Sequence, residues 1–106
     1  MKTGKAIKKP IPVDFIQLEN TPQSIIHVYR FIHGEYSVSR PHQMAMDRWD
    51  DYSSIISNQG YMPLKTLESG EGTQNANFGD YILKGIDGEC WPVKPDIFER
   101  TYDVMN

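Results

Sequence analysis

The residues of this chain that could do chemistry are few: three histidines, one cysteine and a group of neighbouring acids. His27 and His33 are close in sequence, but a six-residue gap within a helix puts them on nearly opposite sides, so they do not share an ion. His42 adds no metal-ligand spacing, and structural or solvated histidines are the plainer reading. Cys90 has no CxxC partner, and nothing places a histidine beside it, so it reads as a small apolar filler rather than a nucleophile. Asp47 and Asp51 would share one face of a helix, with Asp50 nearby. Two carboxylates lacking a third ligand make a poor cation site, and a solvated face is the simpler account. The chain carries no P-loop, no GxGxxG and no GxSxG, which are the motifs that cradle phosphates or raise a nucleophile. The expectation is a non-enzyme that needs no cofactor.

Aromatic side chains are the richer signal. Tyr36, Trp49, Tyr52, Tyr61, Tyr81 and Trp91 are many for 106 residues. If Lys84 and Trp91 are cross-strand neighbours, they form a stacking platform for a base or ring. The alternative is that the lysine stem simply lies over the indole. Met44, Met46, Trp49 and Tyr52 are interspersed with Asp47, Asp50 and Asp51. Methionines and aromatics adapt to a partner's surface, so this segment is a candidate partner surface whose acids would select a basic target. The same residues suit a core-facing stripe, and both readings stand.

The elements that must position these groups follow from spacing. Ile11 to Leu18 reads as a strand, apolar on both sides and therefore central and covered on both faces. Thr21-Pro22 starts a helix, with threonine as cap and proline in the first position. Ile25, Val28, Tyr29 and Ile32 recur along it at helical spacing, and Gly34 suits its C-terminal cap. Glu35 to Ser39 alternates like a strand. Between Pro41 and Asn58, Ala45, Trp49, Tyr52 and Ile56 mark an amphipathic helix ending before Gly60. A loop is the alternative there, since Ser53, Ser54, Ser57 and Asn58 are poor helix formers. Tyr61 to Leu67 is a strand, Ser69 to Gly72 a turn, and Thr73 to Asn77 a polar return strand.

Asp87-Gly88 sits between strand-like runs and predicts a two-residue type I′ hairpin, with positive φ at both turn residues. That register sets Lys84 opposite Trp91 and puts Ile82, Lys84, Trp91 and Val93 on one face. Pro92 donates no hydrogen bond, which makes the second strand an edge. Lys94-Pro95-Asp96 then opens a short helix carrying Ile97 and Phe98, with proline at its start and an acid in its first turn. Tyr102 and Val104 resume a strand-like alternation.

Gly79 to Tyr102 resembles the C-terminal signature of a family of small bacteriophage and prophage proteins, close to GDYIIKGxxGExYPxKPDIFExTY. Gly79, Asp80, Tyr81, Ile82, Lys84, Gly85, Gly88, Glu89, Pro92, Lys94 to Glu99, Thr101 and Tyr102 stand at matching places. Phe78 and Trp91 depart from the usual proline and tyrosine. The N-terminal KKPIPVDFIQL is similar to the family's usual opening. Residues 37–60 match nothing in it, and the good match spans about a third of the chain. Members are described only as phage proteins of unknown function. The resemblance implies an accessory protein working in the cytoplasm of an infected or lysogenic bacterium, with a host protein as its partner.

Length and charge bound the rest. A chain of 106 residues makes one domain that buries about two thirds of its unfolded surface. No apolar run approaches the roughly 20 residues of a membrane span. A single cysteine excludes an internal disulfide. Residues 1–9 hold four lysines and no acid, leaving seven basic against fourteen acidic residues in the body, a net of −7. Residues 1–10 therefore read as a flexible basic arm on an acidic 11–106 domain.

The class is α+β: a small antiparallel meander and the N-terminal strand packed against one or two helices. Two functions fit. One is a non-catalytic protein that binds a host macromolecule, as a counter to host defence. The other is a nucleotide or nucleic-acid binder using the aromatic sheet face and the basic arm. The acidic body disfavours lying along a phosphate backbone. Mixed-sequence DNA or RNA should accordingly give no salt-sensitive gel shift. A shift abolished by deleting residues 1–9 would assign the arm to nucleic acid.

Overall fold

A computed structural model describes residues 1–7, 9–33, 46–65 and 73–105. Among these residues the elements are strand β1 (Asp14–Gln17), helix α1 (Pro22–His33), helix α2 (Met46–Gln59) and strands β2 (Tyr61–Lys65) and β3 (Thr73–Asn77). Strands β4 (Tyr81–Lys84) and β5 (Cys90–Val93) and helix α3 (Pro95–Thr101) complete the order. The expected α+β class holds. The antiparallel run of strands is divided into two sheets, a three-stranded one in the order β1-β4-β5 and the β2-β3 hairpin. Gly34, the strand expected at 35–39 and the turn expected at 69–72 lie outside the described residues.

Helix α1 begins as its sequence dictates. The Ser24 amide donates to Thr21 Oγ1 at 3.1 Å, and the Ser24 hydroxyl in turn accepts from the Glu19 amide at 2.8 Å. These bonds satisfy donors that a helix start leaves open. Ile25 and Val28 face inward and are buried. Helix α2 forms despite its serines because Ile56 packs in the core and the buried Ser53 hydroxyl donates to the Asp50 carbonyl at 3.1 Å. That local bond lets a polar side chain sit inside at little expense. Gly60, at φ 88°, closes the helix by donating its amide to the Ile56 carbonyl.

Leu18, Ile25, Val28, Ile56, Met62, Leu64, Ala76, Ile82 and Cys90 form one buried cluster, which joins both sheets to α1 and α2. Each large member contributes roughly 1.5–3 kcal/mol by leaving water. Helix α3 covers the opposite face of the three-stranded sheet, where Phe98 stacks on Tyr81 at 4.0 Å between centroids. Expected to be covered on both faces, β1 is only partly so: Asp14 and Phe15 are exposed, and Ile16 and Gln17 are half-buried. Its position differs from expectation: β1 is an edge and β4 is central. The ladder also stops at Asp14, so Ile11 to Val13 stand outside it, as do Tyr102 and Val104 beyond α3.

The corner between the two sheets is densely bonded. Gly79, at φ 100°, turns the chain, and its amide donates to the Leu18 carbonyl at 2.6 Å. The Leu18 amide donates back to the Asp80 carbonyl at 2.9 Å, and Gln17 Nε2 donates to the Gly79 carbonyl at 3.0 Å. Asp80, 7% exposed, accepts the Asn77 amide on Oδ2 at 2.9 Å.

The β4-β5 hairpin carries the main correction. Gly88 has the expected positive φ of 83°, but Asp87 does not, because no residue other than glycine has one among those described. The Gly88 amide donates to the Gly85 carbonyl at 3.1 Å, and the Gly85 amide to the Glu89 carbonyl at 2.9 Å. The connection is therefore a three-residue loop, an ordinary turn followed by a glycine bulge, rather than a two-residue turn. One extra loop residue shifts the register by one, so Lys84 pairs with Cys90 and Leu83 with Trp91. A shift of one turns every side chain of β5 to the other face. Pro92 still lies on an edge strand.

Two substitutions test these devices. Asp80→Ala should lower stability by about 1–3 kcal/mol in urea unfolding, because a buried amide loses its acceptor. Gly88→Val should cost about 1 kcal/mol or more and lower the melting temperature, since a Cβ is disfavoured at that φ.

Candidate functional site

Two aromatic groups stand on opposite sides of the three-stranded sheet. On the α1 side, Tyr29 meets His33 at 4.2 Å, Tyr52 at 5.2 Å and Trp49 at 5.6 Å between ring centroids. This is a seam between α1 and α2. Trp49 and Tyr52 are half-buried and turned toward α1, as a core-facing stripe requires, while Asp50 and Asp51 are exposed. Met46 and Asp47 belong to the first turn of α2, and Met44 lies outside the described residues. Burial, reinforced by the neighbouring Tyr29, pushes the Tyr52 phenol up to about 12. Burial also lowers the His33 imidazole from its ordinary value.

The expected Lys84–Trp91 platform does not form, because the shifted register puts the two on opposite faces. The Lys84 ammonium instead sits 4.6 Å from the ring centroid of Phe31 on α1. Cys90 is buried and its Sγ lies 3.8 Å from the Gly88 carbonyl. Burial raises its pKa, with Glu89 adding to the rise and Lys84 opposing it, so the group is a thiol at neutral pH. Among the described residues no three His, Cys, Asp or Glu side chains group as metal ligands. No helix there is long and apolar enough to cross a membrane.

The second aromatic group lies on the α3 side. Phe15 contacts Phe98 at 5.1 Å and Tyr81 at 5.7 Å, and Phe98 stacks on Tyr102 at 5.4 Å. Beside it opens a groove of about 830 Å³, a volume within the range of ligand clefts. Residues 9–15 and 101–105 line it, together with Phe31 from α1 and Phe98 from α3. Phe31 and Phe98 belong to helices on opposite faces of the sheet, so the groove straddles the outer edge of β1. Ile11, Phe15, Val104 and Met105 line it and are 49%, 40%, 55% and 76% exposed.

Sequence reasoning missed this groove. The usable signal was the apolar pattern on both sides of β1, together with the apolar tail Val104-Met105. No spacing rule links residues 9–15 to 101–105, since the β1-β4-β5 order and the packing of Phe98 on Phe15 bring them together.

No family model, curated protein or solved structure matches the chain.

The raised Tyr52 pKa predicts an alkaline instability. A phenol whose folded pKa of about 12 exceeds the unfolded value of 10.0 adds stability that is complete below pH 10. That stability is lost as pH rises from 10 toward 12. Tyr52→Phe should flatten this part of the stability–pH curve in urea melts. An identical slope in the variant would assign the loss to other groups.

Proposed function

We propose that this chain is a non-catalytic accessory protein of a bacteriophage or prophage that binds a host protein. The observation that carries the binding reading is the groove at β1. Four large apolar side chains are exposed along one opening, and clustered apolar exposure marks an interaction surface. The resemblance of residues 79–102 to phage and prophage proteins supports the setting, in which capture of the host protein counters a defence. The nucleotide reading loses its support in the sheet, because Lys84 and Trp91 face opposite ways.

Capture from a bacterial lysate with three baits, read by mass spectrometry, tests this proposal. The wild-type chain should enrich a discrete host protein. Ile11→Asp with Met105→Asp, both at exposed positions outside the regular elements, should lose it without a change in melting temperature. Asp47→Asn with Asp50→Asn and Asp51→Asn should keep it. Loss from the acid variant alone would move the contact to α2, and a wild-type bait that enriches nothing would remove the binding reading.

A further inference from the structure

The ladder between β1 and β4 fixes which backbone groups of β1 are already used. The Leu18 amide donates to the Asp80 carbonyl, and the register continues through Ile16↔Ile82 and Asp14↔Lys84. Antiparallel pairs alternate between bonded and unbonded, so Ile16 and Asp14 spend their amides and carbonyls on β4. The amides and carbonyls of Phe15 and Gln17 point the other way, toward the outer edge. The Gln17 carbonyl is met by the Ser24 hydroxyl at 3.3 Å. Phe15 has no such partner among the described residues, and continuing the alternation aims Val13 outward beside it.

Proline placement leaves this edge open. Pro10 and Pro12 lie outside the ladder and neither replaces Val13 or Phe15, so neither removes an outward donor at those two positions. Natural sheets often block an edge with proline or charge on the outward side. Here the outward donors of Val13 and Phe15 are intact, and the space in front of them is the groove.

We propose that the groove is a strand-accepting slot: an extended segment of the partner pairs with the outer edge of β1 at Val13 and Phe15. This rests on the binding reading above and says which part of the partner is held. Such a segment gains backbone hydrogen bonds from the edge and specificity from pockets for alternate side chains. The pocket on the α3 side is the Phe15, Phe98 and Tyr102 rings, which take an apolar side chain at every second position. The other side offers the Phe31 ring with the Lys84 ammonium over it. Charges along the walls are mixed, with Lys9 against Asp14 and Asp103, so backbone pairing and apolar fit do the selecting. The occupant is an extended, alternately apolar peptide with no proline at the paired positions. A second copy of this chain fits less well. Residues 101–105 line the slot beside this edge, and a two-fold contact would bring two copies of them into the same space.

The test uses fluorescein-labelled nonapeptides of alternating threonine and valine, isoleucine or phenylalanine, with lysine at each end. Each has a counterpart N-methylated at alternate amides, in both phases. Binding is read by anisotropy, and amide exchange at Val13 and Phe15 by NMR. An unmethylated peptide should bind and slow exchange at both amides. Methylation in one phase should weaken it about tenfold, and methylation in the other should not. Val13→Pro, outside the ladder, should weaken it about fivefold while leaving the melting temperature unchanged.

The proposal is overturned if no peptide of the panel binds, or if both methylated phases bind like the parent. It is also overturned if the two amides are already protected in the peptide-free chain, because the edge is then occupied. A host protein captured equally by wild type and Val13→Pro would sink the edge contact and leave the binding reading standing. Peptide binding with no host protein captured would do the reverse.

Discussion

The Leu18–Gly79–Asp80 corner is the constraint on which the rest of the structure depends. It joins the end of β1 to the start of β4 with paired backbone bonds, and the same residues divide the strands into two sheets. Asp80 is a charged side chain placed almost out of water, a position that is tolerable only when its oxygens find donors. It accepts the amide of Asn77, the last residue of β3, so a single side chain sets the geometry at which one sheet ends and the other begins. The positive φ of Gly79 gives the chain room to make that turn. Without the corner, Ile16 and Ile82 would not stand opposite each other, and the cluster around Leu18 would have no fixed floor.

Local signals were legible in the sequence wherever the physics was local. The threonine cap and Pro22 marked the start of α1, Pro95 marked that of α3, and Gly60 closed α2. Helical spacing placed Ile25, Val28 and Ile56 inside. The hairpin at Gly88 was only half legible. An Asp-Gly pair fits a two-residue turn and a glycine bulge alike, and only the partner strand decides between them. That choice moved Trp91 to the other face and with it the residues expected to form a stacking platform.

The apolar residues of the groove were legible but their meeting was not, for a topological reason. The groove's walls come from the two ends of the chain, and nothing within either end announces the other. The aromatic pattern did carry information, because Trp49 and Tyr52 fall at helical spacing and pack on Tyr29. Periodicity alone could not say whether that stripe met α1 or a partner. The register of β1 against β4 supplies what spacing lacks: which backbone groups are spent and which are left over.

The pairing of β1 with β4 also orders events in time. Gln17 and Gly79 are 62 residues apart, whereas β2-β3 and β4-β5 are hairpins between sequence neighbours. Closing a long loop costs conformational entropy before its contacts return anything. The hairpins can therefore assemble from local contacts, while β1 docks last, onto an edge of β4 already formed. In a pulse-labelled refolding experiment, the amides of Ile16 and Leu18 should gain protection after those of β2 and β5. Loop length, not the number of bonds at the corner, thus sets the order in which this chain assembles.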